Sequence, residues 1–98
     1  MKFVVNKCFG GFGLSEKAVK FIKDEMGLDV DAYDYEDEEK RTAPELIKAV
    51  ETLGEEANGR FANLKVVNIK DDFTDLYLDE YDGNESLLVV RNGKIEWH

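Results

Sequence analysis

Apolar residues along this chain follow two rhythms separated by glycine-rich or acidic breaks. Phe3-Val4-Val5 is a short run of strand-forming residues and predicts a strand over residues 2–8. Phe9-Gly10-Gly11-Phe12-Gly13 breaks it and predicts a loop. Ser15 is a good helix N-cap, because its oxygen can accept a backbone N–H from the first turn. Ala18, Val19, Ile22 and Met26 then recur at helical spacing, with Phe21 widening the stripe, and predict a helix over 16–26. Gly27 is suited to end it in the left-handed conformation. Residues 28–40 read as an acidic connection pinned by Val30, Tyr33 and Tyr35, with room for a short strand. Thr42 and Glu45 have capping-box spacing around Pro44, and open a second helix. Its buried face is Leu46, Ile47, Val50, Leu53 and Ala57, with Gly54 inside it and Asn58-Gly59 at its end.

The remaining third alternates with period two. Strands are expected over 64–69, 76–81, 85–90 and 95–97. Asp71-Asp72, Asp82-Gly83-Asn84 and Arg91-Asn92-Gly93-Lys94 separate them, the last two as hairpin turns. The order is β-α-α-β-β-β(-β), an α+β class. Two helices between the first two strands allow a parallel, right-handed crossover. The simplest packing is a two-layer sandwich, with both helices on one face of a mixed sheet of three to five strands. The other face is left to solvent or to an oligomer interface, with Tyr77, Tyr81 and Trp97 as candidates to line it.

Length and composition narrow the picture. Ninety-eight residues make one small domain, burying roughly 60–65% of its unfolded surface. Hydrophobic residues at 43% suit a folded chain, and no apolar run approaches the ~20 residues of a membrane span. The start, Met1 to Lys7, is too soon interrupted for a signal peptide, and the single cysteine forms no internal disulfide. Both point to the cytoplasm. On that reading the Asn84-Glu85-Ser86 sequon is a chance match. One Cys and one His exclude a structural zinc site, and no carboxylate run has EF-hand spacing.

Charge is lopsided. The net is −9, which disfavours nucleic acid and anionic membrane as partners. Residues 1–23 nevertheless hold five lysines against one glutamate. The sharpest acidic run is Asp29, Asp31, Asp34, Glu36, Asp37, Glu38 and Glu39, with no cation among them. It reads either as a solvated loop or as a face for a basic partner, a host protein among them.

The best candidate for binding chemistry is the glycine loop. A loop leaving a strand and entering a helix exposes free N–H groups beside the positive end of the helix dipole. Cys8, Gly10, Gly11, Gly13 and Ser15 would line it, Lys7 and Lys17 would add charge, and Phe9 and Phe12 could stack on a base. The plainer reading is a tight turn whose two phenylalanines fill the core. Arg41 and Arg60 bracket the second helix, and either could reach a phosphate as a planar fork. Glu85 begins a strand and so has a defined direction. Cys8 lacks a partner base, since His98 stands alone at the end of the sequence, so no catalytic residue, metal or cofactor is expected.

Asn6-Lys7-Cys8-Phe9-Gly10-Gly11-Phe12-Gly13-Leu14-Ser15, Pro44-Glu45-Leu46-Ile47, Ala57-Asn58-Gly59-Arg60-Phe61-Ala62 and Glu80-Tyr81-Asp82-Gly83-Asn84-Glu85 are distinctive stretches, the pieces Gly10–Ser15 and Tyr81–Glu85 the most specific among them. On them the sequence resembles a family of short, uncharacterised bacteriophage and prophage proteins with a GGFGLS loop and a YDGxE turn. The tail Leu87–His98 departs from the basic-aromatic ending of that family. The resemblance implies a phage setting, where small accessory proteins counter host defence, and no catalytic residue. The expectation is therefore a non-enzymatic phage accessory protein that binds a small anionic, nucleotide-like ligand at the glycine loop. The alternative is an acidic interaction module that inhibits a host protein through residues 29–39.

Overall fold

A computed structural model describes Met1–His98. The elements are β1 (Lys2–Asn6), α1 (Glu16–Met26), α2 (Pro44–Leu53), β2 (Leu64–Asn68), β3 (Asp75–Tyr81), β4 (Asn84–Arg91) and β5 (Lys94–Trp97), an α+β fold. No helix is long and apolar enough to cross a membrane.

Local chemistry sets most boundaries. Ser15 takes the extended conformation and its Oγ accepts the Ala18 N–H at 3.1 Å. Gly27 closes α1 with φ of 68°, the left-handed conformation that glycine adopts without steric cost. α2 begins differently from expectation. Thr42 makes no cap; Ala43 holds the N-cap position and Pro44 opens the helix. The Glu45 carboxylate instead accepts the Tyr35 hydroxyl at 2.9 Å. Gly54, expected inside the helix, ends it with φ of 58° and starts a 3₁₀ turn, Gly54–Ala57. Asp82-Gly83 and Asn92-Gly93 have positive φ at both positions, as tight two-residue hairpin turns demand.

The strands form two antiparallel sheets rather than one mixed sheet. β1 pairs with β2, Val4 opposite Val66, and β3-β4-β5 form a meander. The parity of the connection explains why β2 is not parallel to β1. A single helix between two strands returns the chain to its original direction; two helices, each connection reversing the chain, return it antiparallel.

β1 is buried on both faces. Val4 points into a cluster with Phe12, Leu14, Ile22, Tyr35, Leu46 and Val50. Phe3 and Val5 point the other way, onto Ile69, Leu87 and Val89. The molecule therefore has three layers: helices, the β1–β2 pair, and the meander. The sheet face expected to lie free is covered by β4. The free face belongs to the meander, where Tyr77, Tyr81 and Trp97 are more than half exposed.

Residues 28–43 form no strand. They run as turns and a 3₁₀ turn, Glu38–Lys40. Tyr35 is buried and anchors the segment; Tyr33 is exposed. Burial, with the hydrogen bond to Glu45, pushes the Tyr35 phenol above the usual tyrosine range.

Candidate functional site

Glu85 occupies the inward phase of β4, two residues before Leu87 and four before Val89. A carboxylate in that phase is buried and requires partners. Arg41 supplies them as a bidentate fork, Nη1 to Oε1 at 2.5 Å and Nη2 to Oε2 at 2.7 Å. The remaining guanidinium N–H groups donate to the carbonyls of Val4, Tyr35 and Glu36. All five donors are thus used, and Arg41 is 1% exposed. The Phe12 ring lies 4.0 Å from the guanidinium carbon. Asn6, fully buried, completes the knot. Its N–H donates to Glu85 Oε1 at 2.7 Å, its Nδ2 donates to the carbonyls of Cys8 and Gly83, and its Oδ1 accepts from Asn63 N–H. No buried side-chain polar atom in the protein lacks a partner.

The glycine loop is seated on this knot, backbone against backbone. A β-carbon at Gly10 would collide with the backbone and Cβ of Phe61. One at Gly83 would collide with the backbone of Gly10 and Gly11, and one at Gly59 would lie 2.8 Å from the Gly13 carbonyl oxygen. Three of the four quoted sequence stretches therefore meet: the glycine loop, the Asn58–Ala62 turn and the Asp82–Glu85 turn.

Between the glycine loop and the Asn58–Ala62 turn lies a cavity of about 80 Å³, lined by Gly10–Leu14, Tyr33 and Gly59–Ala62. That is room for two or three waters, or one small oxyanion. The N–H groups of Gly10, Phe12 and Gly13 have no acceptor within the protein, although Phe12 and Gly13 are buried. Two exposed aromatic residues line the cavity, Phe61 and Tyr33, the latter with its ring edge against Gly13; Phe9 is exposed but is not among the lining residues. Arg60 is exposed, lies 5.2 Å from the Phe61 ring centre and has no carboxylate partner.

Other residues expected at the loop are otherwise engaged. Arg41 has no N–H left for a phosphate. Ser15 Oγ donates to the Glu56 carbonyl while capping α1, and Lys17 pairs with Glu56 at 2.9 Å. Lys7 donates to the His98 carbonyl oxygen. Cys8 is half-buried. Phe12 enters the core as the turn reading expected; Phe9 does not. A second cleft, of about 320 Å³, lies over the Arg41–Glu85 pair, but Glu36, Glu80 and Glu85 line it and repel an anion.

The acidic stretch is ordered differently. Asp29, Asp31, Asp34, Glu36, Asp37, Glu38 and Glu39 are all exposed and none is in an ion pair. Asp31, Asp34 and Glu38 accept backbone N–H groups, Glu38 from Leu78 on β3. Sequence reasoning missed Asn6, Tyr33, Phe61 and Gly83 at the loop. The signal for Gly83 was available, since its turn is one of the distinctive stretches. Compared with protein-family models, curated proteins and solved structures, the chain finds no match.

Proposed function

We propose that this chain is a non-enzymatic binding protein that takes a small anionic, nucleotide-like ligand at the glycine loop. The observation that carries the reading is the set of unpaired N–H groups of Gly10, Phe12 and Gly13 beside a cavity of about 80 Å³. Phe12 and Gly13 are buried, and buried N–H groups are nearly always paired, so these two beside a cavity fit an oxyanion acceptor, with the N–H of the exposed Gly10 at hand. Arg60 adds the charge, and Phe61 and Tyr33 offer rings on which a base can stack. The cavity accepts a phosphate-sized group, with the rest of the ligand lying across the aromatic rim. The resemblance on the same loop and turns supports a bacteriophage accessory role in the host cytoplasm, sequestering a nucleotide signal.

Native mass spectrometry of the purified protein, with and without a nucleotide panel, tests this. The expected result is retained mass of a few hundred daltons. Arg60→Ala is expected to weaken binding by about ten- to a hundredfold, the worth of one charge-assisted hydrogen bond, with the fold intact because Arg60 is exposed. No retention of any nucleotide, or equal retention by Arg60→Ala, would remove the reading.

A second reading, an acidic module that inhibits a basic host protein, is favoured by one observation. The seven carboxylates of residues 29–39 are exposed and in no ion pair, on a segment that Arg41 holds by the Tyr35 and Glu36 carbonyls. Reversing Asp34, Glu36 and Asp37 to lysine is expected to abolish a salt-sensitive interaction in a lysate pulldown and to leave ligand retention unchanged.

A further inference from the structure

The two edges of the β3-β4-β5 meander are finished differently. On β3 the Leu78 N–H, directed away from β4, donates to Glu38 Oε1, so that edge is occupied. β5 has no such cover. Leu87 and His98 exchange both backbone hydrogen bonds. Antiparallel alternation then turns Glu96 and Lys94 toward β4 and turns the N–H and C=O groups of Ile95 and Trp97 to the open edge. The strand carries no proline, and its register with β4 is unbroken by a bulge. Its side chains Ile95 and Trp97 are 56% and 64% exposed. Register places Trp97 beside Leu88 and Tyr77, and Ile95 beside Val90, on the meander's outer face. Shortness and an edge lysine both act against unwanted pairing, and β5 has four residues and Lys94, so a partner strand has to use that lysine.

We propose that a second copy of this chain pairs with that edge, β5 against β5, joining two meanders into one six-stranded antiparallel sheet. Charge chooses the register. With the two-fold axis at Ile95, the two Ile95 residues exchange backbone hydrogen bonds, and each Lys94 stands opposite the second copy's Glu96. Lys94 has no carboxylate partner in its own chain, so it is free to take one; Glu96 already pairs with Arg91 at 3.2 Å and shares its carboxylate between the two cations. An axis at Glu96 would set two glutamates directly opposite, which is destabilising. The interface is isologous, as a two-fold pair requires. It also makes the two outer apolar faces continuous. The contact is small, so the dimer is concentration-dependent.

Sedimentation velocity across a concentration series in 0.15 M salt tests it, since that salt screens the net charge of −9 beyond roughly 8 Å. A monomer–dimer equilibrium is expected for the natural chain. Ile95→Pro removes an N–H that the monomer does not use and is expected to leave only monomer, with an unchanged circular dichroism spectrum. Lys94→Glu turns two attractive cross-strand pairs into two repulsive ones and is expected to raise the dimer Kd about tenfold or more. Adding Glu96→Lys to it is expected to restore dimerisation in part, because the cross-strand pair is then reversed while Arg91 loses Glu96 and keeps Asp72. A chain monomeric at every concentration would overturn the proposal. So would a dimer indifferent to Ile95→Pro but lost in Trp97→Ser, which would show face-to-face packing instead.

Discussion

The two faces of β1 hold their neighbours by different means. On the Val4 side, eleven buried residues from both helices, the loops and β2 make one apolar cluster. On the Phe3–Val5 side only five buried residues join the meander to the body, and the Arg41–Glu85 fork stands beside them. Apolar burial is worth about 1.5–3 kcal/mol per large side chain and is indifferent to direction. A bidentate ion pair is directional. A buried pair is poor evidence for stability compared with an apolar replacement, yet breaking it is costly. The difference teaches that the helical layer is held by quantity and the meander by placement. The fork fixes where β4 sits on β1, and with it where the Asp82-Gly83 turn meets the glycine loop.

The largest effect is expected from breaking the fork. Glu85→Ala leaves Arg41 buried without its counter-ion and is expected to destabilise the chain by about 3–5 kcal/mol in urea denaturation. A loss below about 1 kcal/mol would show that the meander is docked by its apolar residues alone. The next test sets one core against the other. Leu46→Ala and Leu87→Ala each empty a fully buried site and are expected to cost about 2–5 kcal/mol. Hydrogen exchange separates them. Leu87→Ala is expected to lower protection first over Asp75–Trp97 while α1 and α2 keep theirs; Leu46→Ala is expected to lower it throughout. The smallest effect concerns Tyr35, which ties the acidic segment to α2. Its folded pKa is raised, so the folded chain keeps a proton that the unfolded chain releases near pH 10. Stability from this group is whole below about pH 10 and falls as pH rises beyond it. Tyr35→Phe is expected to cost about 1 kcal/mol at pH 7 and to flatten that alkaline fall in thermal melts.

Local chemistry was legible in the sequence, and long-range pairing was only partly so. Ser15 and Gly27 bound α1 where expected, and Asp82-Gly83 and Asn92-Gly93 make the expected hairpins. These depend on a few adjacent residues. The Arg41–Glu85 fork joins residues 44 positions apart, and no local pattern pairs them. One clue was present: Glu85 shares the phase of Leu87 and Val89, so a strand buried on that face would bury a carboxylate and need a cation. The split into two sheets was hidden for a similar reason, because period-two alternation shows that a strand has two faces without saying what covers each. At the glycine loop the glycines and Arg60 were readable. That Gly10, Gly59 and Gly83 are required by backbone-to-backbone contact was not, since those contacts cross the whole chain.

The Asn6–Glu85 hydrogen bond spans 79 positions. Synthesis runs from the N-terminus, so the glycine loop is made well before the turn it rests against. Arg41 appears without its counter-ion, and the loop has no Asp82-Gly83 surface, until residues 82–85 follow. The loop's final shape is therefore a readout of how far translation has gone: a product cut short before residue 82 keeps every residue of the loop and lacks the surface that shapes it.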